Sequence, residues 1–308
     1  MGSPQQAQVK NTGEDRPTPW AESPPFHLAG PSGPVLECTG RTLLMGVLNV
    51  TPDSFSDGGR FYEEEDAVGQ GMRLAREGAD IIDIGGESTR PGSKPVSADE
   101  EKARTLPVIE RLAEQADIPL SIDTQKTTVA EAALDAGAAM VNDVSALRTD
   151  PEMAALVADR EVPVCLMHMQ GTPTTMQKNP TYEEVVTDII EWLGERVEHA
   201  VSAGIDEGKI VVDPGFGFGK TLQHNLELLR RLGEFHSLGR PVLVGTSRKS
   251  MLGAILDVGP DNRLNGTLAT VACAAMSGCH IVRVHDVKPA RETVEVCHAV
   301  RQGICYRA

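Results

Sequence analysis

From residue 41 onward, short runs of aliphatic and β-branched residues alternate with longer stretches whose apolar positions recur every three or four residues. The runs cover 43–50, 79–85, 119–124, 139–144, 162–168, 209–213, 241–246 and 280–284. They are short and nearly unbroken by polar residues, the pattern of strands buried on both faces of a parallel sheet. Stretches such as 66–77, 127–136, 183–203 and 222–232 predict amphipathic helices on the crossovers. Eight strand–helix units suit a single (β/α)8 TIM barrel of the α/β class, typically ~250 residues long. An open doubly wound sheet is the competing arrangement, but it usually stops at five to seven strands. Ahead of the barrel, residues 26–40 predict a short hairpin turning at Gly30-Pro31-Ser32-Gly33. Residues 1–25 hold five prolines and one large apolar side chain, Trp20, and read as a disordered tail. The expected division is therefore a tail over 1–25 and a barrel domain over 26–308.

Composition narrows the function classes. Lys plus Arg total 29 against 44 Asp plus Glu, a net charge of −15. A chain this acidic repels phosphate backbones, so no nucleic-acid partner is expected. No apolar run approaches the ~20 residues that span a bilayer, and the N-terminus shows no basic-then-apolar leader. Six cysteines lie scattered at 38, 165, 273, 279, 297 and 305 without a CxxC pair. That usage fits reduced thiols in a cytoplasmic protein with no membrane partner.

Polar and special residues gather where the strands end rather than where they begin. The ends contain Asn49, Glu87-Ser88-Thr89-Arg90, Asp123, Asn142, His168, Asp213-Pro214-Gly215, Ser247-Arg248-Lys249 and Arg283-Val284-His285. A single Asp after a strand is commonly a helix N-cap, and Asp123 or Asp213 alone fits that role. Eight ends enriched together do not. In a (β/α)8 barrel they share one face and line one pocket.

The familiar nucleotide motifs fail on inspection. A P-loop ending at Gly219-Lys220-Thr221 needs glycine where Pro214 stands, and G-x-G-x-x-G from Gly215 needs glycine where Lys220 stands. Those glycines instead let backbone approach a flat ligand, with Phe216 or Phe218 as an aromatic edge. His168, His280 and His285 lack the spacing of a tetrahedral metal site, and no covalent nucleophile set is evident. Asp123, Asn142 and Asp213 match the donor-rich edge of an aminopyrimidinone. Arg90, Lys249, Arg283 and His285 supply positive charge for a diphosphate, with Asn49 as an oxygen donor toward Mg²⁺. Residues 247–250 open a helix, whose free N–H groups favour a carboxylate. This set suits a group transfer with diphosphate leaving.

Several blocks resemble the dihydropteroate synthase family. They are the stretches at 49–59 (NVTPDSFSDGG) and 85–92 (GGESTRPG), then Ser121-Ile122-Asp123-Thr124, Val141-Asn142-Asp143 and the block at 167–173 (MHMQGTP). Asp213 through Lys220, Ser247-Arg248-Lys249-Ser250 and Arg283-Val284-His285-Asp286 complete the series, in the family's order over residues 41–300. The resemblance implies a barrel enzyme of folate biosynthesis, a transferase and sulfonamide target. It joins 6-hydroxymethyl-7,8-dihydropterin diphosphate to p-aminobenzoate and releases diphosphate. It further implies that Asp123, Asn142, Asp213 and Lys249 hold the pterin, with Met167 and Phe218 nearby. Thr89, Arg283 and His285 would take the diphosphate, and Asn49 would ligate Mg²⁺. Phe55, Arg90, Pro91, Ser247, Lys249 and Ser250 would surround p-aminobenzoate. Asp123, Asp213, Lys249, Arg283 and His285 would act on the reacting groups, in a homodimer. Loops 49–61 and 86–98 are rich in Gly, Pro and Ser and are expected to close over bound substrate. A methyltetrahydrofolate-binding methyltransferase or a non-catalytic pterin-binding paralogue would share the barrel. The methyltransferase would not need the loops at 89–92 and 247–250, which are intact here, and the paralogue would show degraded diphosphate or Mg²⁺ residues, whereas Asn49, Arg283 and His285 all stand.

Overall fold

In the computed structural model, which describes residues 24–51, 60–88, 93 and 95–303, eight parallel strands wrap into a barrel. They are β3 (Leu43–Asn49), β4 (Ile81–Gly85), β5 (Leu120–Asp123), β6 (Met140–Asp143), β7 (Val164–Met167), β8 (Ile210–Asp213), β9 (Leu243–Val244) and β10 (Ile281–Val284). Pairing runs β8-β7-β6-β5-β4-β3-β10-β9, and a parallel bridge between Val212 and Val242 joins the two ends. This is the (β/α)8 TIM barrel that the rhythm of apolar runs predicts. The expected tail falls almost wholly on residues 1–23, outside the described residues.

Crossover helices cover the outside: α1 (Arg60–Arg76), α2 (Ala98–Gln115), α3 (Thr127–Asp135), α4 (Met153–Asp159), α5 (Val185–Ser202) and α6 (Leu222–Arg230). Two helices, α7 (Ser250–Leu256) and α8 (Leu264–Met276), follow β9, and α9 (Val287–Gln302) follows β10. The doubling arises because Asp257 ends α7 in the left-handed conformation (φ 54°), which a helix cannot continue. The strands are one or two residues shorter than the apolar runs at most ends, and β9 keeps only two residues of 241–246. There Pro241 has no N–H to give a ladder, and the chain turns away after Val244.

Strand residues alternate between two environments. Leu44, Leu48, Ile82, Ile84, Ile122, Val141, Leu166, Val212 and Val282 pack outward into one cluster with the helices. Met45, Ile81, Met140, Cys165, Val211, Leu243 and Ile281 point inward and fill the N-terminal end of the barrel. The hairpin of β1 (Phe26–Gly30) and β2 (Gly33–Cys38) closes that end, with Leu28, Val35, Leu36 and Cys38 joining the same inward cluster. Gly33 sits at φ 125°, a conformation that the tight turn requires and that a side chain would strain. Among the described residues the N-terminal end of the barrel is thus packed with apolar side chains, and the polar strand ends lie at the C-terminal mouth.

His280 fastens this plug. Its Nδ1 accepts the Val242 N–H at 3.0 Å, so the proton lies on Nε2, which donates to the Pro24 carbonyl at 3.0 Å. The Phe26 ring meets the imidazole edge-on at 5.1 Å. Burial drives the His280 pKa down from 6.5 to about 4, with the neighbouring His236 and Arg301 acting in the same direction. The unfolded chain therefore binds a proton that the folded chain refuses between pH 6.5 and about 4, and stability falls as pH drops through that window. His280→Gln should remove up to about 3 kcal/mol of that acid-induced loss, read from urea unfolding at a series of pH values. An identical pH slope in the variant would show that His280 is not the titrating clasp.

Candidate active site

Two residues beyond the apolar floor, the inward positions change character. Period-two alternation carries Ile81 to Asp83, Met140 to Asn142, Val211 to Asp213 and Ile281 to Arg283, and it places Asp123 above Ser121. Parallel register brings these side chains to one level: Gly85 pairs with Asp123, Asp123 with Asn142, and Met167 with Asp213. A polar layer therefore lies across the C-terminal half of the barrel.

Arg283 organises this layer. Its Nε donates to Asp83 Oδ2 at 2.6 Å and its Nη2 to Asp123 Oδ2 at 2.8 Å. Asn142 Nδ2 donates to the same Asp83 oxygen at 3.0 Å. Asp83 is fully buried, and its Oδ1 has no hydrogen-bond partner among the described residues. Burial pushes the Asp123 carboxyl up to about 7, Arg283 pulls it back, and the nearby carboxylates Asp83 and Glu101 add to the rise. Burial likewise raises Asp213 to about 6, opposed by the Gly215 N–H at 2.7 Å and by Lys249. The layer sets three carboxylates, Asp83, Asp123 and Asp213, against the cations Arg283 and Lys249.

One side wall is apolar. Val144, Met167, Met169, Met176 and Phe218 form a separate small cluster at the barrel mouth. Lys249 Nζ rests 4.1 Å from the centre of the Phe218 ring, a cation–π contact. Burial lowers the Lys249 pKa to about 8, Arg283 adds to this, and Asp213 opposes it. Behind this wall, Lys220 Nζ bonds His168 Nδ1 at 2.9 Å and the Phe218 carbonyl at 3.0 Å, which holds the 215–220 loop against β7. Gly215 (φ 70°) has no room for a side chain, since a Cβ there would lie 1.9 Å from the His168 carbonyl oxygen. Phe216 is not the aromatic edge: it is buried among the helix-side core residues, and Phe218 alone of the two faces the site.

Beside this wall, past the end of β9, Ser247 Oγ contacts His285 Nδ1 at 2.9 Å and accepts the His285 backbone N–H at 3.2 Å. Arg248 (φ 56°) swings out to a bidentate pair with Asp286 at 3.0 and 2.6 Å. Ser250 begins α7 and is exposed. His285 departs from the sequence expectation of a positive charge. Burial takes its pKa down to about 3, with Arg283 and Arg248 reinforcing the shift, so it is a neutral imidazole in this structure. Arg283, expected at the diphosphate, is here engaged by Asp83 and Asp123 on the pocket floor. Asn49 closes β3 at the mouth, half-buried. Phe55, Thr89, Arg90 and Pro91 lie outside the described residues, as do residues 52–59, 89–92 and 94 of the two loops expected to close.

Sequence reasoning missed Asp83 and Lys220. A charge at the centre of Ile81-Ile82-Asp83-Ile84 is a readable signal, because a doubly buried strand tolerates a carboxylate only where a partner awaits it. Lys220 drew notice only as part of a failed nucleotide motif.

The pterin binding enzyme family matches residues 45–285. The chain is 48% identical over 256 residues to the dihydropteroate synthase of Escherichia coli strain K12, covering 83% of this chain and 90% of that one. Its fold superposes on the Yersinia pestis dihydropteroate synthase solved with a sulfonamide drug, with a TM-score of 0.85 and 46% identity over 90% of this chain and all of that one. The Xanthomonas albilineans dihydropteroate synthase with 4-aminobenzoic acid superposes with a TM-score of 0.82 and 48% identity, over 86% and 95% of the respective chains. With a barrel whose mouth is floored by acidic groups and walled by Phe218 and Met167, this chain belongs to the dihydropteroate synthase family of pterin-binding enzymes.

Proposed function

We propose that this chain condenses 6-hydroxymethyl-7,8-dihydropterin diphosphate with p-aminobenzoate, forming 7,8-dihydropteroate and diphosphate. The observation that carries the reading is the Asp83–Arg283–Asp123 layer with Asn142 and Asp213 beside it. Buried acceptors at one level match the amino and ring N–H donors of a pterin, and Phe218 with the methionines offers an apolar face. The Xanthomonas relative, solved with 4-aminobenzoic acid, supports the second substrate.

An aromatic amine is a neutral, weak nucleophile, so the barrier lies in making the pterin methylene carbon electron-poor. As its bond to the diphosphate oxygen breaks, positive charge spreads into the ring, and ionised Asp123 and Asp213 lie where they stabilise it. The amine nitrogen then bonds that carbon and gives up a proton to solvent. Ser247, neutral His285 and Lys249 line the side that takes the leaving group and the carboxylate.

Mg²⁺ fits this donor set in a limited way. Among the described residues no group of three His, Cys, Asp or Glu could hold a metal ion alone. Asn49 offers one carboxamide oxygen at the mouth, which suits an ion that keeps its waters and takes its other ligands from a diphosphate. Bound so, Mg²⁺ would neutralise charge on the leaving group. No helix of the described residues is long and apolar enough to cross a membrane, and a cytoplasmic location accords with five unpaired cysteines among those residues. The homodimer is supported by apolar side chains left exposed on α7 and α9: Ile255, Leu256, Val296 and Val300.

Three outcomes follow from this reading. With Asp123 titrating near 7 and needed ionised, and Lys249 near 8 and needed charged, kcat/KM for pterin diphosphate should fall below about pH 7 and above about pH 8. Steady-state rates across pH 5.5–9.5 test this, a range of about one and a half units beyond each limb; a flat profile contradicts it. Asp123→Asn should keep the fold by circular dichroism and lose about 10²–10³ in kcat, together with the acid limb. Unchanged turnover would place the charge stabilisation elsewhere. A sulfonamide, which presents the same aniline ring, should raise KM for p-aminobenzoate without lowering kcat; inhibition that p-aminobenzoate cannot overcome would separate the two sites.

A further inference from the structure

Behind the apolar wall stands a buried lysine that no carboxylate answers. Lys220 is 3% exposed, and its Nζ donates to His168 Nδ1 at 2.9 Å and to the Phe218 carbonyl at 3.0 Å. Both partners are neutral. Burial takes the His168 pKa down to about 2, with Lys220 and Arg148 adding to the shift, so its Nδ1 is an acceptor and its proton sits on Nε2. A methionine of similar length would fill the space at 220 without stripping an amino group of its water. Stability alone therefore does not call for lysine here.

What the two bonds achieve is geometric. Phe218 stands between Gly217 (φ 79°) and Gly219 (φ 65°), so the local backbone sets the direction of its ring only weakly. The direction is set from outside. Asn225 Oδ1 accepts the Gly217 N–H at 2.8 Å, Gln177 Nε2 donates to the Gly217 carbonyl at 2.6 Å, and Tyr182 Oη donates to the Gly219 carbonyl at 2.7 Å. Lys220 takes the carbonyl of Phe218 itself. It joins that carbonyl to His168, whose backbone N–H donates to the Asp213 carbonyl at 2.9 Å. Phe218 in turn carries Lys249. The Lys249 stem crosses Gly217, where a Cβ would come 3.3 Å from its Cδ, and its Nζ lies 4.1 Å from the centre of the Phe218 ring. One line of contacts runs from the buried lysine, through the ring, to the lysine at the site.

We propose that Lys220 is a positioning residue: by bridging His168 and the Phe218 carbonyl it holds the Phe218 ring against Lys249, so that ring and ammonium meet a flat heterocycle as one preformed surface. Lys220 itself lies behind the ring and touches no ligand. That the heterocycle is a pterin rests on the proposed function, so one readout is taken without any ligand.

An aromatic ring shields a group held over its face, so the Lys249 ε-methylene signal of the free chain is displaced upfield in an NMR spectrum. Spectra are recorded at about pH 6, where Lys249 is protonated, and Phe218→Leu supplies the undisplaced reference. The experiment compares the wild-type chain with Lys220→Met, His168→Leu and His168→Asn. It reads this signal, the calorimetric Kd for 6-hydroxymethyl-7,8-dihydropterin and the melting temperature. Lys220→Met should move the Lys249 signal most of the way to its Phe218→Leu position and raise the pterin Kd by about tenfold or more. His168→Leu removes the acceptor and should shift both in the same direction, which keeps the test open if Lys220→Met does not fold. His168→Asn sets a carboxamide oxygen close to the place of Nδ1 and should recover most of both losses. A lowered melting temperature with the Lys249 signal in its wild-type position would overturn the proposal. So would an unchanged Kd where that signal has moved, or equal losses in His168→Leu and His168→Asn. A wild-type chain that binds no pterin would refute the pterin reading instead, and the signal of the free chain would still decide the role of Lys220.

Discussion

A guanidinium in the middle of a closed barrel can be kept only if it is answered, because removing a lone charge from water costs far more than any fold has to spare. Arg283 is answered by Asp83 and Asp123, carried on the neighbouring strands β4 and β5, which β3 separates from β10. The consequence reaches every part of the site. Asp83 takes Arg283 and Asn142 on the same oxygen, and Arg283 offsets part of the burial of Asp123. The parallel register that levels β4, β5, β6 and β10 is thus also the register that satisfies these charges. A one-residue slip of β4, β5 or β10 would turn a buried charge into the helix-side core.

The two ends of the barrel divide the labour. The N-terminal end is filled by methionine, isoleucine, leucine and valine side chains and sealed by the hairpin, so the strands have a rigid base. That base permits the upper half to carry groups that oppose stability, among them carboxyls pushed toward neutral pH and a lysine pulled down toward it. Such groups are costly in the folded state and valuable in a reaction that develops charge. The glycines at 215, 217 and 219, all at positive φ, let the backbone bend around Phe218 without side chains blocking the approach.

Much of this was legible in the residues before any coordinates. Eight apolar runs predicted eight strands, and polar residues at their ends marked the open face. Asp123, Asn142, Met167, Asp213, Phe218, Lys249 and Arg283 are indeed gathered there, while Phe55, Thr89, Arg90 and Pro91 lie outside the described residues. What could not be read were properties of pairing in space. Asp83 lies inside an apolar run, and only the arrival of Arg283 from two hundred positions later gives it a purpose. His285 looks like a cation in sequence and is neutral because burial and two arginines surround it. Lys220 takes its purpose from His168, 52 positions earlier in the chain. The brevity of β9 reflects Pro241 and a turn that the run of apolar residues conceals.

If the charged layer held by Arg283 is what recognises the pterin, then loosening it from behind should be felt at the ligand. Asp83→Asn is the direct probe, since Asp83 anchors both Arg283 and Asn142 yet is itself fully buried. Isothermal titration of 6-hydroxymethyl-7,8-dihydropterin into the wild-type and variant chains, each verified as folded, measures the effect. The account predicts that binding weakens by about tenfold or more, the scale of losing one partner from a buried charged pair. Equal affinity in a folded Asp83→Asn chain would contradict it.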